Sequence, residues 1–210
     1  MKYLIPLFLF VFFSPNLAKA QEIIKKKFKL PPILEEASGL HYSTSGEFFW
    51  LNDSGGEPEL YVTDGEGHLK KTIRLQKAKN KDWEELTADD KGNIYIGDFG
   101  NNGNKRTGLK IYRYNVQSEK TKTIKFSYPD QKAFPPAPAQ MNFDMEGFFW
   151  MDGELHLFSK NKVMVGNYVT KHYTLSDTGS PQVATLRDSL ALKDRVVTAA
   201  AISPDKKTVA

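Results

Sequence analysis

The sequence contains no cysteine. That absence excludes a disulfide-stapled fold, a thiolate metal site, a cysteine nucleophile and a lipidated N-terminal cysteine. Long apolar runs are also missing beyond the first residues, so no later stretch is long enough to span a bilayer as a helix. No segment sustains a helical period. Gly-x-Ser-x-Gly and His-Glu-x-x-His are absent, which removes support for a serine-hydrolase elbow and for a helix-borne zinc pair. Lysine and arginine (29) barely exceed aspartate and glutamate (25). No basic stripe interleaves with aromatics, so a nucleic-acid partner is not expected.

What is present is a chain of 210 residues, 40% apolar and 12% aromatic, long enough for one or two domains with a sizeable core. Residues 1–20 read as a secretory signal peptide. Lys2 supplies the positive start, residues 3–13 are apolar apart from Pro6, and Ala18-Lys19-Ala20 offers the small residues of a cleavage site. Export to a periplasm or the extracellular space follows, with no transmembrane segment after cleavage. Residues 21–32 form an N-terminal extension carrying Lys25, Lys26, Lys27 and Lys29. These lysines suit a solvated terminus better than an anionic lipid or polysaccharide surface.

Residues 33–210 carry a weak internal repeat. Units open at Glu35-Glu36-Ala37-Ser38-Gly39-Leu40, at Asp82-Trp83-Glu84-Glu85-Leu86, at Asp144-Met145-Glu146-Gly147-Phe148 and at Val197-Thr198-Ala199-Ala200-Ala201-Ile202. Aligning Glu36, Glu84, Glu146 and Ala199 spaces the openings by roughly fifty to sixty residues. Each opening leads into a short strand (39–42, 86–88, 147–150, 200–203). A polar turn and a second strand follow (48–52, 93–97, 154–158, 208–210). Third and fourth strands are expected at 59–63 and 68–75, at 109–114 and 121–126, and at 168–174 and 182–187. Units of four antiparallel strands at this spacing predict an all-β fold, a β-propeller of four-stranded antiparallel blades. A β-sandwich is the alternative, but it gives no reason for a repeated acidic opening. Three blades and the start of a fourth are accounted for, half of a six-bladed propeller; closure by two copies is the other way to complete the ring.

In a blade the start of the innermost strand and the end of the second strand lie at the same end. Glu36 is therefore expected near Asn52 and Asp53, Glu84 near Asp98, and Asp144 and Glu146 near Ser159 and Lys160. Carboxylates from several blades would meet at one channel mouth, where a cation or a basic group must offset their repulsion. Oxygen ligands of this kind suit a divalent cation, calcium above all. Alternatively each carboxylate accepts backbone N–H bonds at its own blade junction. The four histidines (His41, His68, His156, His172) form no metal-ligand pair by spacing, and Trp50, Trp83 and Trp150 suit packing between blades. The proline-rich stretch 129–140 is expected as a connection between blades two and three, either folded over the channel mouth or lying on the surface.

Glu36-Ala37-Ser38-Gly39-Leu40, Asn52-Asp53-Ser54-Gly55 and Asp144-Met145-Glu146-Gly147-Phe148 resemble the exported propellers grouped as "esterase-like activity of phytase". They are more loosely similar to the regucalcin/gluconolactonase and strictosidine-synthase-like propellers. The resemblance spans residues 32–210. The first grouping implies six blades and ester or phosphoester hydrolysis. The second implies a divalent metal held by Glu and Asn or Asp at the channel. The positions that match are Glu36, Asn52, Asp53, Glu84, Asp98, Asp144 and Glu146, although Glu84 and Asp98 depart from the Asp-x-Glu-Gly pattern. On this basis Glu36, Asp53, Glu84 and Glu146 are candidate ligands or a general base, with Glu36, Asp53 and Glu146 expected to act in catalysis. The competing expectation is a non-catalytic propeller that binds a small molecule, a polysaccharide or a protein partner in the envelope.

Overall fold

The computed structural model describes residues 28–161, 169–192 and 195–210. The signal peptide, Lys25, Lys26 and Lys27 lie outside the described residues. The chain builds three antiparallel four-stranded blades. Blade one is β1(Ala37–Tyr42), β2(Phe48–Asn52), β3(Glu59–Thr63) and β4(Leu69–Arg74), in that spatial order. Blade two is β5(Trp83–Ala88), β6(Asn93–Asp98), β7(Leu109–Asn115) and β8(Lys120–Ser127). Blade three is β9(Asp144–Met151), β10(Glu154–Lys160) and β11(Val169–Ser176), closed by an outer strand considered below. The inner strands β1, β5 and β9 pack side by side around the axis. A fourth unit is begun by a hairpin in which Ala201 and Ala210 exchange backbone bonds of 2.9 Å around the Ile202–Val209 bridge. The fold is thus the all-β propeller that the repeat predicts. Among the described residues the only helical turns are Pro32–Leu34 and Pro138–Gln140, and no helix is long and apolar enough to cross a membrane.

The apolar pattern explains the stacking. Blade two is covered on both faces, so every residue of β6 is buried. Ile94 and Ile96 join Leu51, Leu60 and Val62 of blade one, whereas Tyr95 on the other face joins Phe148, Leu155 and Tyr173 of blade three. The Trp50, Trp83 and Trp150 indoles are buried and each donates a hydrogen bond, to Thr63, to the Lys79 carbonyl and to Asp177. Trp83 and Trp150 do the interblade packing expected of them, whereas Trp50 packs under the N-terminal segment instead. On the free face of blade one, Leu34, Trp50 and Tyr61 gather Phe28 and Leu30 from the N-terminal segment, so residues 28–34 act as a lid on that blade.

Two features differ from the sequence expectation. The inner strands start two or three residues earlier than periodicity suggests, at Ala37, Trp83 and Asp144. Each is interrupted near its start by a β-bulge, which breaks the period-two pattern from which strands are recognised. The expected strand 182–187 is in fact two strands belonging to different sheets. β12(Gln182–Val183) runs parallel to β8 and extends blade two, whereas β13(Thr185–Ala191) pairs with β11 and completes blade three. Ala184, buried between them, donates its N–H to the Ser127 carbonyl at 2.9 Å and marks the crossover.

Gly147 sits where the third inner strand meets the fourth unit. A Cβ there would lie 2.6 Å from the Ala199 carbonyl carbon and the Ala200 nitrogen, both backbone atoms that cannot swing aside. Gly147→Ala is therefore expected to lose about 1–3 kcal/mol of stability. Gly65→Ala, at a position with open space around it, is expected to be nearly neutral. Urea unfolding of the two variants side by side measures the difference.

Candidate functional site

The bulges decide which side chains face the channel mouth. In blade one Ala37 pairs with Asn52 and Gly39 with Leu51, leaving Ser38 as the extra residue. In blade three Met145 pairs with Ser159 and Gly147 with Phe158, leaving Glu146. In blade two Glu84 and Glu85 together stand opposite Gly97. The structural repeat therefore equates Glu36 with Asp82 and Asp144, and Ser38 with Glu84 and Glu146. The alignment of Glu36 with Glu84 and Glu146 is corrected by two residues, because sequence spacing alone does not locate the inserted residue.

This register brings Asp53, Asp82 and Glu84 together. One carboxylate oxygen of each lies within 4.8 Å of the other two. Asp53 follows β2, and its N–H donates to the Glu36 carbonyl at 2.9 Å. Asn80 ties it to blade two: its Nδ2 donates to the Asp53 carbonyl at 2.6 Å while its Oδ1 accepts from the Trp83 N–H at 3.2 Å. Gly100 closes the site from behind. Its N–H donates to the Asp82 carbonyl, and a Cβ there would fall 2.1 Å from Glu84 Oε1 and 2.6 Å from Asp82 Cγ. Only glycine leaves room for both carboxylates.

The other expected residues are placed differently. Asp98 is fully buried and held by Arg106 Nη2 at 2.7 Å and by Lys110 Nζ at 3.6 Å. Arg106 also reaches Asp82 at 3.5 Å and donates to the Gly100 carbonyl, so one guanidinium fixes three parts of the site wall. Asp144, also buried, accepts the Asn101 N–H at 2.7 Å. Glu146 accepts from Lys160 Nζ at 3.0 Å, as the sequence suggests, and shares a hydrogen bond with Asp144. Asn52 donates to the Ile33 carbonyl at 2.7 Å, and its buried Oδ1 has no hydrogen-bond partner. Glu36 stands at the exposed rim, outside the three-carboxylate group. Asp82, which completes that group, is not among the candidates selected from sequence, although it opens the second repeat unit.

The proline-rich loop is anchored at this end. Asp130 accepts from Lys171 Nζ at 2.6 Å and from the Tyr173 hydroxyl at 2.9 Å. Gln131 donates to the Asn104 carbonyl at 2.8 Å, in the loop that follows β6.

Crowding of carboxylates under partial burial shows in their proton affinity. Glu84 is pushed up to about 9, first by burial and then by the charges of Glu146, Asp53, Asp82 and Asp144. Burial raises Glu146 to about 7 despite Lys160, with Asp144 adding to the rise. Asp82 is raised by burial against the opposing pull of Arg106. An all-oxygen, hard donor set fits calcium or magnesium. Two oxygens on opposite sides of a calcium ion stand about 4.6–5.2 Å apart, so the spacing of the three carboxylates accommodates one.

No family model matches this chain, and no curated protein matches it. Among solved structures it is similar to the computationally designed Ika4 protein (10% identity, TM-score 0.44, covering 90% of this chain and 97% of that one). It is also similar to a protein of unknown function from Bacteroides caccae (13% identity, TM-score 0.41, covering 81% and 50%). A third is an α-L-arabinofuranosidase of the GH43 type from Clostridium thermocellum (17% identity, TM-score 0.40, covering 76% and 50%). The chain spans about half the length of the two natural proteins. These likenesses concern fold alone.

The raised Glu84 has a thermodynamic consequence. Between its ordinary value of 4.5 and about 9, the folded chain holds a proton that the unfolded chain has released. Stability from this group is full at low pH and falls as pH rises toward 9. Melting of the metal-free protein in chelator is expected at lower temperature at pH 9 than at pH 5, and Glu84→Gln is expected to flatten that slope. Arg106→Gln, which strands the buried Asp98, is expected to cost about 3–5 kcal/mol in urea unfolding.

Proposed function

We propose that the channel mouth holds a divalent cation, calcium by the hardness of its ligands, and that the protein is a metal-dependent hydrolase of an ester or phosphoester, exported to the periplasm or beyond. The convergence of Asp53, Asp82 and Glu84 carries this proposal. Resemblance of the repeat openings to the phytase-associated propellers supports the same chemistry.

Asp53, Asp82 and Glu84 would hold the ion, with the buried Asn52 Oδ1 a further neutral oxygen one residue away from Asp53. A bound divalent cation polarises a carbonyl or phosphoryl oxygen and acidifies water. The remaining work falls to the chain itself. Glu146, at about 7, exchanges a proton readily near neutral pH and is the general acid or base. Lys160 fixes its Oε1 at 3.0 Å and sets its orientation. Arg106 keeps Asp82 and the Gly100 backbone in place. Glu36 lies at the rim, where it contributes charge to substrate approach.

Calorimetry of calcium binding at pH 7 in buffers of different ionisation enthalpy is expected to show proton release, since Glu84 must ionise to become a ligand. Asp53→Asn, Asp82→Asn and Glu84→Gln are expected to abolish binding. Turnover of p-nitrophenyl phosphate or short-chain p-nitrophenyl esters is expected to require calcium and to stop with chelator. Glu146→Gln is expected to lower kcat by about 10²–10⁴-fold while calcium still binds. Calcium binding without turnover of either substrate class would make the protein a binding module. Absence of calcium or magnesium binding would overturn the metal site.

A further inference from the structure

Blade two carries a row of charged residues that leads away from the channel site. Strand pairing sets Asp98, Lys110 and Lys125 opposite one another on β6, β7 and β8. Residues paired in this way share one face of the sheet, here the face on which Tyr112 meets blade one. Asp98 is held by Arg106 at 2.7 Å as well as by Lys110 at 3.6 Å, so one carboxylate is divided between two cations. Lys125 is exposed and has no ion-pair partner among the described residues. Two residues along from Lys110, the Tyr112 hydroxyl accepts from the Lys79 N–H at 3.0 Å and donates to the Lys79 carbonyl at 3.2 Å, which holds the segment 77–81 against this side of the blade. That segment supplies Lys77, Lys79 and Lys81, none of them in an ion pair among the described residues.

A groove of about 470 Å³ opens at the outer end of this row, and the hydroxyls of Thr107 and Ser127 join Lys110 and Lys125 in its wall. Neither hydroxyl has a hydrogen-bond partner among the described residues. Gln182, also in the wall, is fully engaged: its Nε2 donates to the carbonyls of Ser176, Thr178 and Gly179, and its Oε1 accepts from the Ser176 N–H. Among the described residues no carboxylate lines the groove. Lysines often guard a sheet edge against foreign strands. At Lys125 that edge is already closed, because its N–H donates to Ser180 Oγ at 3.0 Å and Phe126 is paired with Gln182 of β12.

We propose that this groove binds a phosphate or sulfate group carried on a larger molecule. Like charges directly opposite on neighbouring strands repel, and Asp98 offsets only Lys110. A tetrahedral oxyanion between the two ammonium groups offsets that repulsion and accepts hydrogen bonds from both lysines and both hydroxyls. Lysine acts on such an anion as a point charge, whereas the planar fork that matches a carboxylate belongs to arginine, which the lining lacks among the described residues. The ion alone leaves most of the groove free, and Pro181 offers apolar contact to the group that bears it. The groove needs no cation at the channel mouth and works whether or not the protein turns over an ester.

Two-dimensional amide NMR of the calcium-free full chain, titrated with sodium phosphate or sodium sulfate against sodium chloride at equal ionic strength, tests the groove. Saturable shifts are expected at residues 107–110 and 125–127 with both oxyanions and not with chloride. Lys125→Gln is expected to weaken binding about ten-fold or more, the loss of one charged hydrogen bond. Lys120→Gln, on the same strand but outside the groove, is expected to leave it unchanged. Glucose 6-phosphate and dextran sulfate, each compared with its uncharged parent sugar, distinguish a small ester from a polymer as the carrier, and binding of either at these residues supports the proposal. Absence of saturable shifts there, or equal weakening by Lys120→Gln and Lys125→Gln, overturns it. Binding of the inorganic ions but of neither ester overturns the assignment to a larger molecule.

Discussion

Each inner strand carries one residue more than its partner can pair, and the arrangement at the channel mouth depends on that surplus. The bulge at Ser38, at Glu84-Glu85 and at Glu146 rotates the strand start relative to the rest. Residues after the bulge keep the alternation that packs blade against blade. Around it the side chains divide: Trp83 and Met145 stay in the interblade clusters, whereas Asp82 and Glu84 reach the mouth. Without the extra residue, Glu84 would take the opposite face and enter the packing between blades. The same local irregularity thus permits an apolar interior and a polar mouth on one strand.

Charge at the mouth is balanced unevenly. Asp98 and Asp144, fully buried, are held by Arg106, Lys110 and the Asn101 backbone. Glu146 has Lys160. Among the described residues Asp53, Asp82 and Glu84 have less: Arg106 lies 3.5 Å from Asp82, and the Ser54 N–H donates to Asp53. Burial with so little compensation raises the proton affinity of Asp82 and, strongly, of Glu84. The fully buried carboxylates build the wall, and the three half-buried ones face the mouth with their charge less offset.

The fold was largely legible in the sequence because interblade packing imposes period-two alternation and repeated turns. β2 and β3 fall where polar turns bound short apolar runs, and the three tryptophans behave as packing residues. The site was legible only in part. Glu84 and Glu146 stand out because acidic residues recur at blade openings, and Asp53 because it ends the second strand beside the first opening. Asp82 was readable as well, two residues before Glu84 as Asp144 is before Glu146; only its equivalence to Glu36 depends on a bulge that leaves no compositional trace. Gly100 gives no signal either, since its role lies in a close approach between segments from different loops. The crossover at Ala184 was hidden for a similar reason: one alanine between two apolar stretches does not reveal that the chain changes sheets.

Among the described residues, that crossover is the one connection that places a strand of its own in a neighbouring blade's sheet. β12 lies on the outer edge of β8, yet it belongs to the return path of blade three. The end of β8, at Phe126 and Ser127, is thereby shielded from pairing with foreign strands by a segment that the chain supplies just before the outer strand of blade three. Blades two and three thereby share a short stretch of backbone ladder, Gln182 and Val183 beside Phe126 and Ser127, so a change in the return path of one bears directly on the edge of the other.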